Sequence, residues 1–431
     1  MQVLNNINLS KLSKIKTHSY LLFCILSLVL TSVINIVSSP DPNYSNLFWI
    51  QVIWLIFSIV ATVLICFIRT KNFELIAYPF YLIIIISLIA VSVYGLIVNG
   101  SRRWIDIGFL RFQPSEFAKI SVIFAIAKFL TINTNQYRFR DLIRPFNISR
   151  PLVFIAISII LIIGDYPQIS LGSFLFFLVG VVLLKFSIKQ LKKEGFNGKQ
   201  IFSLSDLIFL PFLFVLIEPD LGTAIIILGV STFMILFSGV KVLSFIFTSC
   251  ILIGISLISW NWIFEDYQRQ RIFNFINPEV DIMGSGYHTI QSIIAIGSGG
   301  PWGKGLNCGT QTQLLFLPEN HTDFAFAALS EEWGFFGTCT VLLLYVGLIF
   351  FMIKVAFEAK NQFSGLIAIG AASLLFWHFF MNVGMALGLL PVVGIPLPFV
   401  SYGGSAALIQ IAALGICVNV ALWENFQRYN K

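Results

Sequence analysis

The residues able to do chemistry in this 431-residue chain gather between positions 265 and 325, a glycine-rich stretch set between apolar runs. It mixes carboxylates, two histidines and several basic residues, the makings of acid–base work and of anion binding. Asp281 lies in the run from Asn277 to Gly286 (NPEVDIMGSG), with no helix to cap immediately behind it. A turn-forming Asp beside glycine is the plain alternative, and the residues alone leave both open. Downstream, Gly297 to Gly305 (GSGGPWGKG) is similar to a phosphate-cradling loop. It departs from the P-loop pattern twice, with Ser298 where the first glycine belongs and Gly305 where Ser or Thr is needed. Loose backbone N–H groups beside Lys304 would still suit a phosphate diester or pyrophosphate. His288 and His321 fit no HExxH or CxxC spacing, which speaks against zinc. A hard divalent cation held by Asp or Glu together with a substrate pyrophosphate is compatible with these residues, whereas nothing calls for an organic cofactor.

Two further places carry charge where apolar residues dominate. Glu116 and Lys119 open another apolar run three residues apart, hence on one helix face. Ionisable groups at such depth usually face a cavity or a partner, and a mutual ion pair that only fixes the helix accounts for them equally well. Asp220 follows a proline in the run Ile217 to Thr223 (IEPDLGT). There the Pro-Asp pair breaks one span and caps the next, and capping is weighed ahead of a place in a catalytic cavity.

These positions are set by the apolar segments around them. The chain is 57% hydrophobic and 11% charged, against roughly 25% charged for a soluble domain. Apolar runs of about 20 residues, each long enough to cross a hydrocarbon core, recur along the whole length. Transmembrane barrels are excluded because their strands alternate apolar and polar residues. The pattern therefore predicts an all-α polytopic membrane protein, one transmembrane domain over residues 1–431. Spans are expected at 19–37, 46–68, 75–98, 115–132, 205–218, 220–238, 242–264, 324–353, 363–389 and 400–423. Within an inserted segment, 133–204, the runs 152–164 and 170–187 read as an additional helical hairpin (152–187) folded at Asp165-Tyr166-Pro167. Most of the 27 Lys and Arg residues then fall on one side, which the positive-inside rule makes cytoplasmic. Both termini are expected there, and the 265–325 loop outside the cell. The net charge of +7 is a topology signal and needs no nucleic-acid partner. The outer loop holds only Cys308 of the six cysteines, so no disulfide framework is implied. The first apolar run has no small-residue cleavage site before Pro40 and reads as an uncleaved span.

In order along the chain, the segments resemble the SEDS family, the polytopic glycosyltransferases of shape, elongation, division and sporulation. The residues that carry the likeness are Gly100 to Gly108 (GSRRWIDIG), Gln113 to Lys119 (QPSEFAK), Glu218 to Ala224 (EPDLGTA), Asp266 to Arg271 (DYQRQR) and, most strongly, Asn277 to Gly337. Within that last run are Gly286 to Ser292 (GYHTIQS) and Leu317 to Phe324 (LPENHTDF); Leu390 to Pro398 (LPVVGIPLP) and Ser401 to Ser405 (SYGGS) follow. Gly303-Lys304-Gly305 with Gly309-Thr310-Gln311 is similar to the elongation (RodA-type) branch more than to the division (FtsW-type) branch. The family pattern has ten spans, and segment 133–204 departs from it.

The resemblance implies polymerisation of lipid II, the undecaprenyl-pyrophosphate disaccharide-pentapeptide, in the bacterial cytoplasmic membrane during cell elongation. It implies a class B penicillin-binding protein and the elongation machinery as partners. The family's essential Asp of the large outer loop falls on Asp281, which would be the general base. Arg103, Glu116, Lys119 and Asp220 fall on family motifs and, with Lys304, are expected to bind substrate. The competing readings are a lipid II flippase, which Asn382 to Gly388 (NVGMALG) before Pro391 would fit as a broken helix, a division-type polymerase, and a non-catalytic scaffold. The clustering of polar residues at one membrane face favours the polymerase.

Overall fold

A computed structural model of the chain describes residues 44–98, 101–106, 111–132, 204–239, 269, 273–275, 285–317 and 319–429, with scattered residues between 25 and 38. The expected hairpin at 152–187, the expected span at 242–264 and Asp281 lie outside the described residues. Two compact units partition the chain. The first comprises Met1–Ile68, Cys250–Lys360 and Ala371–Lys431; the second comprises Arg69–Ser249 and Asn361–Gly370.

The protein is an all-α membrane fold. Among the described residues five helices are long and apolar enough to cross a bilayer, and two shorter apolar helices accompany them. In the second unit these are α2 (Thr70–Tyr94), α3 (Pro114–Ile132), α4 (Leu204–Ile217) and α5 (Leu221–Phe237). Helix α3 is apolar nearly all round and buried nearly throughout, as such a helix must be. Ala118, Ala125 and Ala127 let its neighbours approach closely. Gly370 serves the same purpose: a Cβ there would lie 2.6 Å from Ile123 and 3.0 Å from Met234.

The expected span at 75–98 is displaced. Its helix starts at Thr70 and ends at Tyr94, and the chain then forms β1 (Leu96–Val98), β2 (Ser101–Asp106) and β3 (Arg111–Phe112). The three strands form an antiparallel meander in which Val98 pairs with Ser101 and Ile105 with Phe112. The signal was present in Asn99-Gly100, the dipeptide most suited to a two-residue hairpin turn, preceded by β-branched Ile97 and Val98.

In the first unit, α1 (Tyr44–Phe67) packs along α10 (Gly404–Tyr429). Two glycines make this close approach: a Cβ at Gly404 would overlap the Trp54 ring, and one at Gly415 would lie 2.9 Å from Thr62. The Asn419 amide donates to the carbonyls of Ile65 at 2.8 Å and Ile68 at 2.7 Å, closing the end of α1. The 265–325 stretch, in its described residues, is more helical than a loop. It contains α6 (Ser285–Ser298) and the single turn α7 (Thr310–Gln313) before α8 (Ala325–Glu358) begins. On α8, Phe336, Leu343, Phe350 and Phe357 repeat every seventh residue and are all at least half exposed, the stripe a helix turns to lipid. Helix α9 (Gln362–Ala386) contributes its first turns, to Gly370, to the second unit.

Candidate functional site

In the second unit the start of α3, strand β2 and the break between α4 and α5 meet in one corner. A helix that ends leaves carbonyls without donors. Helix α4 ends at Ile217, and Arg103 of β2 supplies donors beyond that point, to the carbonyl of Glu218 at 2.9 Å and to that of Pro219. Asp220 then caps α5: one carboxylate oxygen accepts from the Thr223 N–H at 3.2 Å. Its other oxygen accepts from Gln113 at 3.2 Å and Ser115 at 3.3 Å, which ties the broken helix to the start of α3. One turn along α3, Lys119 donates to Glu116 at 2.7 Å, with both residues buried. Removing one partner of such a pair leaves an uncompensated buried charge, at a cost of about 3–5 kcal/mol.

Glu218 is the odd member of this corner. It sits in the turn between the two helices, 1% exposed, and neither carboxylate oxygen has a hydrogen-bond partner among the described residues. Arg103 stands near, yet its N–H groups go to backbone carbonyls.

In the first unit the glycine-rich run is built into a break in α8. Gly334 has φ +66° and ψ −168° in mid-helix, so the helical ladder stops there. The run supplies replacements: Lys304 and Gly305 donate their N–H groups to the carbonyls of Glu331 and Glu332, each at 3.0 Å. In return Phe335 and Phe336 donate to the carbonyls of Gly300 at 2.8 Å and Pro301 at 3.2 Å. The two backbones meet glycine to glycine, because a Cβ on Gly334 would overlap the Gly303 nitrogen and one on Gly303 the Glu332 carbonyl. This corrects the reading of loose N–H groups beside Lys304: two of them are committed to α8. The Lys304 ammonium itself is 2.7 Å from Glu331, Ser298 and Thr310. Glu331 also accepts from the N–H groups of Gln311 at 2.9 Å and Thr312 at 3.1 Å, a carboxylate at the N-terminus of a helical turn. Its neighbour Glu332 accepts from Ser38 and from the Asn307 N–H at 3.2 Å.

Sequence-distant motifs also meet in this unit. Tyr402 donates its N–H to the His321 carbonyl at 2.8 Å, and Ser401 its hydroxyl to that of Thr322 at 2.6 Å. The Asn382 amide bridges the carbonyls of Asp323 at 2.9 Å and Ile395 at 2.7 Å. His288 lies against the Phe324 ring. Among the described residues no three His, Cys, Asp or Glu side chains converge as a cation site.

Of the sequence-predicted residues, Arg103, Glu116, Lys119 and Asp220 share the corner of the second unit. Lys304 belongs to the first unit, and Asp281 is outside the described residues. Three acids escaped individual notice: Glu218, Glu331 and Glu332. Their signal was available, since paired carboxylates at the head of an apolar span are costly unless something uses them.

Known proteins place the chain. The FtsW/RodA/SpoVE family model, described as a cell cycle protein, matches residues 13–191 and 185–425. The peptidoglycan glycosyltransferase MrdB of Escherichia coli K12 is 39% identical over 341 residues, 79% of this chain and 76% of the relative. Stage V sporulation protein E of Bacillus subtilis is 30% identical over 425 residues, 95% of this chain and 99% of the relative. A chain from a peptidoglycan synthase complex, solved for its coordination of polymerization and crosslinking, superposes with a TM-score of 0.68 at 25% identity, covering 94% of this chain and 97% of its own.

Proposed function

The chain belongs to the FtsW/RodA/SpoVE (SEDS) family, and from that premise we propose that it is a peptidoglycan glycosyltransferase of the elongation branch that polymerises lipid II. The observation that carries this reading is the 39% identity to the glycosyltransferase MrdB over 79% of the chain. That value exceeds the 30% shared with the sporulation protein.

The reaction joins the 4-hydroxyl of one sugar to the anomeric carbon of another and releases a lipid pyrophosphate. The leaving group is acidic enough to depart without a strong proton donor. The attacking hydroxyl must lose its proton as the bond forms, and a positioned carboxylate contributes about 10²–10⁴-fold in that role. Asp281 is assigned to it by the family motif. A single displacement with one base inverts the anomeric centre. Arg103 and Lys119 are proposed to steady the pyrophosphate charge. Glu116, which holds Lys119 in place, and Asp220, which fixes the broken helix beneath Arg103, support them. Lys304 is proposed to serve substrate binding through the outer loop that it clamps to Glu331. A class B penicillin-binding protein is the proposed partner, in keeping with the synthase complex whose chain this one resembles. The termini are proposed to lie in the cytoplasm and residues 265–325 outside.

Two experiments test the reading. Purified protein, with its transpeptidase, is expected to convert lipid II into a glycan ladder on gels, and Asp281→Asn to make none while folding normally. Depletion in cells separates the branches: rounded cells support elongation, and filaments would assign the chain to division.

A further inference from the structure

Among the described residues, Arg103, Glu116, Lys119 and Asp220 each have a hydrogen-bond partner within the second unit's corner. The Arg103 guanidinium serves the carbonyls of Glu218 and Pro219. The Asp220 carboxylate is shared among Thr223, Gln113 and Ser115. Lys119 is bonded to Glu116. Glu218 remains, 1% exposed and with both side-chain oxygens unpaired. Its position in the turn between α4 and α5 makes it the side chain at the interruption of two apolar helices. Interrupted helices are where membrane proteins place ligand contacts. A polar group buried there without a mate among the described residues lowers stability, and a mate from outside the chain would restore it.

Resting on the lipid II reading above, we propose that Glu218 is a substrate-binding residue whose carboxyl group pairs with an amide of the lipid-linked sugar, an acetamido group. An unpaired buried carboxyl keeps its proton, because the cost of burying the ionised form outweighs the nearby Arg103 charge, whose N–H groups go to backbone carbonyls. In that form it offers one O–H donor and one carbonyl acceptor side by side. A trans acetamido group turns its N–H away from its carbonyl, so the carboxyl O–H would donate to that carbonyl while a neighbouring sugar hydroxyl donates to the carbonyl oxygen of Glu218. A phosphate has acceptors alone and would leave the carbonyl of Glu218 unmatched.

The test compares Glu218→Gln and Glu218→Leu by thermal shift and by lipid II titration in detergent, in an Asp281→Asn background where turnover does not interfere. Gln keeps one donor and one acceptor and can never ionise, so binding within about threefold of the parent is expected. Leu removes both, and a loss of tenfold or more is expected, since a site made for a polar mate rejects poorly matched pairs strongly. Leu should also melt no lower than the parent before lipid II is added, because it removes an unsatisfied buried group. Leu binding as tightly as the parent overturns the proposal, as does Gln binding as weakly as Leu, which would mean that charge is required. A lower melting point for Leu without ligand overturns it too, by revealing a structural partner. A parent that shows no lipid II binding at all overturns the substrate reading together with the proposal.

Discussion

Lys119 and Glu116 show how far a spacing rule reaches. Three residues apart on a helix, they were expected on one face, and they meet at 2.7 Å with both residues buried. Removing only one partner should therefore do most harm. Lys119→Met and Glu116→Gln are each expected to lower stability in detergent by about 3–5 kcal/mol, and the double variant by less than their sum. Additive losses would mean that the two charges are stabilised separately. Asp220 was legible for the same reason, because capping is local and its Thr223 contact spans three residues. Glu218 was not legible. Its lack of a partner depends on where Arg103, 115 positions earlier, directs its guanidinium, and local spacing carries no such information.

At the scale of elements, the apolar runs gave the helices because lipid demands that each span satisfy its own backbone. What they did not give is the break in α8, where a helix is repaired by a loop 27 to 35 residues upstream. The pair that repairs it, Gly303 and Gly334, is visible in the sequence only as two glycines among 31. Gly334→Ala is expected to be severe. Its φ of +66° disfavours a side chain, and the added Cβ would lie 2.6 Å from the Trp302 carbonyl carbon as well as against Gly303. Faster proteolysis or amide exchange across 297–313, with the spans still protected, is the measurement that checks this. Unchanged protection of that run would show that the loop does not depend on the break. Lys304→Met should loosen the same run more mildly, since the Glu331 carboxylate keeps its bonds to Gln311 and Thr312.

For the whole molecule, charge asymmetry makes a claim about sidedness that labelling can check. Cys308 is exposed on the 265–325 stretch. A membrane-impermeant maleimide should label it on intact spheroplasts, and Cys308→Ser should abolish that signal. Labelling only after permeabilisation would place the stretch in the cytoplasm and reverse the orientation. The most direct measurement of the central claim is lipid II polymerisation in detergent micelles, where no second leaflet exists and a flippase has no product to make. Wild-type protein with its transpeptidase is expected to give glycan polymer, and folded Asp281→Asn none. No polymer from the wild type, beside a transpeptidase shown to be active, would contradict the account.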